Sequence, residues 1–439
     1  MSRNRSPLDR AREARMAGKT DDALRLAIGL LEADSQQLGA ALFLSRVLIH
    51  EGRGFLAAEV ATRLVDAFTR RGDLPQAVVA AKTAAEAGED ADALLVAVAD
   101  AFGSDSDRLG DVAPAPPPLP PNVEAPKALA AVKGDALLDK AESALQSYFE
   151  TDDPIGEDTT LPKLPLFSGL DGDELKELLA AFSLKDVKGG DTLVVEGQEG
   201  TDAFVIANGL LHVERAAEEG EEPILLAALG PGAIFGEMAL VSDAPRAASV
   251  VADEVATVLA IARDDLERLA KVTPEIGQQL ASFCRGRMIA NLLRHSSILR
   301  SVSGADREAL FHRFGTEHFD PGQSLVEEGS EGTGLFLLAS GAVEVVGKDS
   351  DGDELRIAEL GPGNVVGEIS LVLRRPANAT VRALTPTVAL HLGRDAFQDA
   401  IREHPTLLGE LYETATQRDE ETRTVVAQEA MDVEDIVLL

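Results

Sequence analysis

The stretch Phe235-Gly-Glu-Met-Ala-Leu-Val-Ser-Asp-Ala-Pro-Arg-Ala-Ala-Ser-Val250 gathers the residues of this chain best suited to hold a ligand. Gly236 has no Cβ and lets the backbone come close to a bound molecule. Glu237 to Leu240 fit one short helical turn whose free N–H groups would face an anion. Arg246 closes the loop, nine residues after Glu237 and just past Pro245. A carboxylate and a guanidinium in this arrangement suit a ligand with a hydroxyl next to a phosphate, the carboxylate accepting from the hydroxyl and the guanidinium pairing with the phosphate. The contact set so defined is Gly236, Glu237, Met238, Ala239, Arg246, Ala247 and Ala248. An isolated Glu and Arg would more simply be a surface ion pair of little worth. The choice between the two readings therefore rests on the surrounding pattern.

That pattern is a repeat. From residue 161 onward the chain turns to short Val/Leu/Ile runs punctuated by paired glycines, which predicts a compact β barrel or sandwich. Gly190-Asp-Thr-Leu-Val-Val-Glu-Gly-Gln-Glu-Gly-Thr201 matches Gly322-Gln-Ser-Leu-Val-Glu-Glu-Gly-Ser-Glu-Gly-Thr333 at an offset of 132. The match continues at an offset of 131 through Gly230-Pro-Gly232 and Gly361-Pro-Gly363, Gly236-Glu237 and Gly367-Glu368, and Pro274 and Pro405, one residue being lost in the hairpin loop between. Glycines held in register where turns need positive φ mean two copies of one β-rich domain. Helices are expected around each copy, at 173–182 and 263–294 for the first and at 306–314 and 394–428 for the second.

The second copy departs at the decisive position. Its stretch reads Val366-Gly-Glu-Ile-Ser-Leu-Val-Leu-Arg-Arg-Pro-Ala-Asn-Ala-Thr-Val381, so Gly367 and Glu368 are kept while Ala377 stands where Arg246 would be. A charge-assisted contact is worth on the order of 1.5–3 kcal/mol, and its loss weakens a micromolar site roughly ten- to a hundred-fold or more. Arg374 and Arg375 precede Pro376 and are expected to point elsewhere. The second copy is accordingly structural or takes another ligand.

Ahead of the barrels, residues 7–102 are rich in Ala and Leu at helical spacing, which predicts a stack of short helices. Gly-x4-Ala-x3-Ala recurs at Gly18/Ala23/Ala27, Gly52/Ala57/Ala61 and Gly72/Ala77/Ala81. The first two copies lie 34 residues apart, the period of tetratricopeptide repeats, although the third follows after only 20, and an ordinary Ala-rich bundle is the alternative. Seven prolines in residues 114–126 predict an extended spacer. An amphipathic helix at 127–149 and an acidic connector at 150–160 follow.

Composition limits the function. With 41 basic and 75 acidic residues the formal charge is −34, so attraction to phosphate polymers or anionic lipid is not expected and an anionic ligand needs a local reversal of the field. One cysteine, Cys284, rules out an internal disulfide framework and suits a reducing compartment; its apolar neighbours predict a buried helical thiol. No apolar run reaches a membrane-spanning length and no apolar h-region follows the basic segment 1–18, so a cytoplasmic chain is expected. The seven histidines lack metal-ligand spacing, and neither a nucleophile elbow nor a zinc signature is present. Gly18-Lys-Thr20 resembles the end of a phosphate loop, but Glu13 replaces the required earlier glycine and no strand precedes it. The Gly-Pro-Gly triplets lack the spacing of a dinucleotide fingerprint. Catalysis is not expected.

Residues 235–250 resemble the phosphate-binding cassette of the cyclic-nucleotide-binding family, as in the regulatory subunits of cAMP-dependent protein kinase. That motif runs F-G-E-hydrophobic-A-L, a short variable segment, then P-R-A-A-T/S-V, and it is met without insertion or deletion. The resemblance spans residues 161 to about 428. It implies that Glu237 binds the ribose 2′-hydroxyl, Arg246 the cyclic phosphate, and the N–H groups of Ala239 and Ala247 complete the cradle. Ala247 stands where cGMP-selective relatives often carry threonine, which favours cAMP over cGMP. Helices at 263–294 would form a lid over the base through Leu280, Phe283, Ile289 and Leu292, or simply join the domains.

The resulting expectation is an α+β multidomain chain: a tetratricopeptide-like helical domain (1–112), a Pro-rich linker (113–126), a helix and acidic connector (127–160), two tandem β-roll or jelly-roll nucleotide domains (161–297 and 298–428) and an acidic tail (429–439). Its expected role is a non-enzymatic cytoplasmic receptor for cAMP or cGMP that signals to a protein partner through the N-terminal helices. The alternatives are a kinase regulatory subunit and a scaffold whose barrels bind nothing. A basic pseudosubstrate with an Arg-Arg pair, expected of such subunits, is missing from residues 125–160. A DNA-binding regulator is disfavoured because residues 403–439 are acidic and offer no recognition helix.

Overall fold

The structure, a computed structural model, describes residues 6–113, 124–151, 159–217, 222–240, 245–295, 310–348 and 352–437. The chain groups into two compact units. Met1–Glu196, Thr201–Leu240 and Ala248–Phe283 form one, and Gly197–Gly200, Val241–Ala247 and Cys284–Leu439 form the other.

The first unit opens with six helices: α1 (Pro7–Met16), α2 (Thr20–Ala33), α3 (Leu38–His50), α4 (Gly54–Arg70), α5 (Leu74–Glu86) and α6 (Ala91–Phe102). The recurring glycines are the stops between them. Gly18, Gly52 and Gly72 have φ of +74°, +80° and +75°, and the N–H of the next residue reaches back to Ala14, Leu48 and Phe68 O respectively, which satisfies carbonyls the helix end leaves open. The paired alanines, Ala23, Ala27, Ala57, Ala61, Ala77 and Ala81, are fully buried, so neighbouring helices meet at close range. Gly88, with φ +103° and a Glu89 N–H to Ala84 O bond, is a further stop of the same kind that the sequence analysis passes over. The alanines at the same spacing after it, Ala93 and Ala97, are exposed.

The segment read as a connector returns to this array. Pro126 packs on Gly29, a short 3-10 turn spans Lys127–Leu129, and α7 (Asp135–Phe149) lies across α2, α3 and α4. It buries Leu137, Ala141, Leu145 and Tyr148, a stripe with steps of four, four and three residues. Arg25 donates to Leu129 O at 3.0 Å and to Val132 O at 2.7 Å, Arg53 faces Asp135, Asp139 and Glu142, and Arg63 holds Phe149 O and Thr151 O at the C-terminus. The helix therefore belongs to the helical array. Residues 114–123, the core of the Pro-rich stretch, lie outside the described residues.

Each β domain is a pair of four-stranded antiparallel sheets. The first orders β3 (Ser183–Val187), β10 (Ala256–Ala262), β5 (Asp202–Asn208) and β8 (Ile234–Phe235) in one sheet. The other holds β4 (Thr192–Val194), β9 (Ser249–Ala252), β6 (Leu211–Arg215) and β7 (Ile224–Leu229). The registers Val258↔Ile206 and Val213↔Val250 bring alternate apolar side chains into one core with Phe204, Leu211 and Phe235. The second domain repeats both orders. One sheet runs β11 (Gly315–Phe319), β18 (Thr387–Gly393), β13 (Gly334–Ser340) and β16 (Val365–Val366), and the other β12 (Ser324–Val326), β17 (Thr380–Ala383), β14 (Val343–Lys348) and β15 (Glu354–Leu360). Its core places Phe336, Leu338, Val343 and Val366 in register with Phe204, Ile206, Leu211 and Phe235, as the internal repeat requires. The hairpin loops at 218–221 and 349–351, where one residue is lost, lie outside the described residues.

α8 (Gly172–Ala181) precedes the first barrel, and α9 (Arg263–Val272) and α10 (Pro274–His295) follow it, close to the expected 173–182 and 263–294. On α10 the buried residues are Ile276, Leu280, Cys284, Met288 and Leu292, four apart, while Phe283 and Ile289 are half-buried. Cys284 is thus the buried helical thiol that its neighbours predict. In the second domain α11 (Glu368–Val372) sits in the cassette, and α12 (Arg394–Glu403) and α13 (Pro405–Val437) follow the barrel. The segment 429–439 read as a tail continues α13 as far as Val437, because nothing between 405 and 437 breaks a helix. Most of the helix expected at 306–314 lies outside the described residues.

Helical array and first barrel pack together within the first unit. Arg46 of α3 pairs with Asp186 of β3 at 2.8 Å, Thr257 donates to the same carboxylate at 2.7 Å, and Lys176 of α8 pairs with Asp92 of α6 at 2.8 Å. The Ser104 N–H donates to Leu170 O at 2.7 Å, and β1 (Leu109–Gly110) runs parallel to β2 (Leu161–Pro162).

Candidate functional site

The first cassette is entered through a stiff approach. The Gly232 N–H donates to Ile206 O at 2.8 Å, and Phe235 of β8 stacks on Phe204 of β5 with ring centroids 5.0 Å apart. Gly236, at φ +73°, then turns the chain into the 3-10 turn Glu237–Leu240, as the sequence predicts. Glu237 is 5% exposed and Ala239 is buried beside it, with Met238 half-buried. The Ala239 N–H, expected in the phosphate cradle, meets Gly236 O at 3.2 Å, the i→i−3 bond that closes a 3-10 turn.

Arg263, at the start of α9, anchors this turn from behind through its Nε, which donates to Ala239 O at 2.6 Å. Sequence reading does not single it out, although its repeat partner Arg394 is a visible signal. In the second barrel Arg394 Nη2 holds the neighbouring turn instead, donating to Glu331 O at 2.6 Å and Gly332 O at 2.8 Å, the positions in register with Glu199 and Gly200. Leu166, Phe182, Leu266, Ile276 and Leu280 line the small space behind the turn, and this apolar lining makes it core rather than a polar pocket.

The exit arm of the cassette carries Arg246. Its N–H donates to Gln198 O at 2.9 Å, and its carbonyl accepts from the Gly197 N–H at 2.8 Å, so the 197–200 turn fixes the backbone. The guanidinium lies over Gly200, where any Cβ would overlap it. The bare backbone at Gly200 therefore leaves the room that the Arg246 guanidinium takes. Ala247 is exposed and Ala248 half-buried. The structure so brings Gly236, Glu237, Met238 and Ala239 together on one turn of the first unit, and places Arg246 and Ala247 on the arm that groups with the second; residues 241–244 between them lie outside the described residues.

The second cassette keeps the backbone and changes the side chain. Its Gly329 N–H donates to Ala377 O at 2.8 Å and its Ala377 N–H to Ser330 O at 2.9 Å, the same pairing as at Arg246. Ala377 is buried, and the glycine in register with Gly200, Gly332, faces Ser370 instead of a guanidinium. Gly367, at φ +85°, turns the chain into α11 as Gly236 does in the first copy. Glu368 is 2% exposed and meets Arg418 of α13 at 3.0 Å. Burial pushes the Glu368 carboxyl above its usual range, and Arg418 draws it back down. A cavity of about 100 Å³ adjoins it, lined by Val326, Val345, Leu360, Glu368, Asn378 and Arg418 among others. Among the described residues no group of His, Cys, Asp or Glu is placed to hold a metal ion, and no helix is long and apolar enough to cross a membrane.

The family model of the cyclic nucleotide-binding domain matches residues 184–272 and 316–404. The cAMP-dependent protein kinase regulatory subunit of Yarrowia lipolytica is 29% identical over 233 residues, 53% of this chain and 58% of that protein. Its counterpart in Aspergillus fumigatus is 30% identical over 241 residues, 53% of this chain and 56% of that protein. The chain thus spans little more than half the length of these curated relatives. The regulatory domain of Toxoplasma gondii PKA, crystallised with cAMP, is 23% identical over 58% of this chain and 92% of its own, with a TM-score of 0.28.

Proposed function

We propose that this chain, which carries two tandem cyclic nucleotide-binding domains, is a non-enzymatic receptor that binds a cyclic nucleotide, cAMP in preference to cGMP, in the first of them. The observation that carries the reading is the complete set of polar residues in the first cassette: a buried carboxylate, Glu237, on a glycine-started turn and a guanidinium, Arg246, held over Gly200. In an acidic molecule the Arg246 guanidinium supplies the local reversal of field that a cyclic phosphate needs, and Glu237 offers an acceptor to a neighbouring hydroxyl. The curated relatives, named for cAMP-dependent kinase regulation, support the ligand class. Ala247 in place of threonine supports cAMP over cGMP. The reading sets the receptor in the cytoplasm, where the lone buried thiol of Cys284 stays reduced.

Binding becomes a signal only if the ligand favours one of two states of the chain. The helical array, packed on the first barrel, is the element we assign to carry that difference to a protein partner. Calorimetric titration of the full chain with cAMP and cGMP tests the reading. One tight site that prefers cAMP and is lost in Arg246→Ala is expected, and undiminished binding in that variant would reject the assigned site.

A second reading, a regulatory subunit of a protein kinase, is favoured by what the relatives are named for and is opposed by the missing Arg-Arg pair in residues 125–160. Recovery of a kinase on the immobilised full chain, released by cAMP, would establish it over a receptor with another output.

A further inference from the structure

We infer that the second barrel is occupied from within: Arg418 and Asp419, adjacent on α13, take the cation and anion contacts of the cassette at 366–381 and hold that barrel closed without a nucleotide. The inference goes beyond the reading of the first domain and does not depend on it.

Arg418 serves the entry arm of the cassette. Its Nη1 donates to Glu368 at 3.0 Å and also to Val365 O, and its Nη2 donates to Asn364 Oδ1 at 3.1 Å. Glu368 is the carboxylate in register with Glu237, so the side chain that would receive a sugar hydroxyl already has a charged donor. Asp419 serves the exit arm and is 6% exposed. It accepts from Asn378 Nδ2 at 2.8 Å, contacts the guanidinium of Arg375 as an ion pair without an aligned hydrogen bond, and meets Arg423 one turn on at 3.2 Å. Close contact with the Arg375 guanidinium, together with the charge of Arg423, holds its carboxyl below the usual carboxylate range, so it stays an anion near neutral pH. Asn378 stands in register with Ala247, and Arg375 is the arginine nearest to the missing one. A carboxylate of the chain itself thus sits where the loop offers its donors, and an incoming phosphate would have to displace it against like-charge repulsion. Thr422, buried and lining the same cavity, continues the covering face of α13.

The repeat shows that the pair is specific to the second copy. At the offset of 131, Arg418 corresponds to Arg287 and Asp419 to Met288, so the first copy has the arginine and lacks the carboxylate. The copy with Arg246 carries no internal anion at this place, and the copy with Ala377 carries one. Loss of the cassette arginine and gain of the helix carboxylate fit one another.

Amide hydrogen exchange of the full chain tests this. In the wild-type chain saturating cAMP is expected to leave protection at 364–381 and 405–425 unchanged. In the Arg418→Ala/Asp419→Ala double variant, exchange at 405–425 is expected to rise about ten-fold, equivalent to about 1.4 kcal/mol of lost local stability, while β13 and β18 keep their protection. New protection at 364–381 on adding cAMP to the wild-type chain overturns the inference, and so does unchanged exchange at 405–425 in the double variant. Should β13 and β18 lose protection as well, Asp419→Asn, which removes the charge and keeps the size, is read the same way: faster exchange at 405–425 supports the latch and unchanged exchange overturns it. Protection at 235–250 reports separately on the first domain, so the two readings can fail independently.

Discussion

Arg246 and Gly200 form a unit at the residue scale, because the backbone of the 197–200 turn holds the arginine and the missing Cβ at 200 leaves room for its guanidinium. On the proposed reading Arg246→Ala removes a charge-assisted contact to the phosphate, so cAMP affinity measured by calorimetry is expected to fall roughly ten- to a hundred-fold or more. Gly200→Ala tests the positioning. Its φ is not in the left-handed region, so alanine strains no backbone there, yet the added methyl overlaps the guanidinium; a loss of affinity of at least about three-fold is expected with little change in the ligand-free melting temperature. Restoring the arginine in the second domain with Ala377→Arg is expected to add no second cAMP site to the titration, since Glu368 stays paired with Arg418. Glu237 and Arg246 are legible in the sequence because the cassette is a contiguous motif. Gly200 and Arg263 are not, because their partners lie 46 and 24 residues away and only folding brings them together.

At the scale of elements, helix stops are written locally and helix destinations are not. Gly18, Gly52 and Gly72 each end a helix for the same reason, relief of a Cβ clash at positive φ, and the Gly-x4-Ala-x3-Ala pattern that marks them is visible in the chain itself. Where α7 goes is another matter. Its amphipathic pattern announces a helix, but the face it covers is built by α2, α3 and α4 together. Asp73, which caps α5 by accepting from the Gln76 N–H at 3.2 Å, offers a test of local electrostatics. Although an edge of it stays accessible, the packing around it raises its pKa from 3.8 to about 6. A raised acid binds its proton more tightly in the folded state, so its contribution is fully present below pH 3.8 and is lost as pH rises through about 6. Asp73→Asn keeps a capping oxygen without the charge. The variant is expected to melt above the wild-type chain near about pH 7.5, by up to the equivalent of about 2 kcal/mol, and level with it at about pH 3.5.

At the scale of the whole molecule, the contact of the helical array with the first barrel combines exposed charge pairs with close backbone approaches, and the two should weigh differently. Arg46→Ala breaks a partly exposed ion pair and is expected to lower stability by less than about 1 kcal/mol in thermal unfolding. Gly72→Leu is expected to cost more, at about 2–3 kcal/mol. It places a Cβ at φ +75° and 2.7 Å from the Pro162 ring.

Taken alone, the sequence determines the two barrels, their order, the first cassette and the missing guanidinium of the second. Each of these is a local property: turn glycines at fixed offsets, alternating apolar residues and one unbroken motif. Tertiary structure decides that α7 joins the helical array, that the supposed tail continues a helix, and that Arg418 and Asp419 close on the second cassette. The physical reason is that burial and ion pairing act between residues far apart in the chain, and a helical pattern records which face is apolar without recording what will cover it.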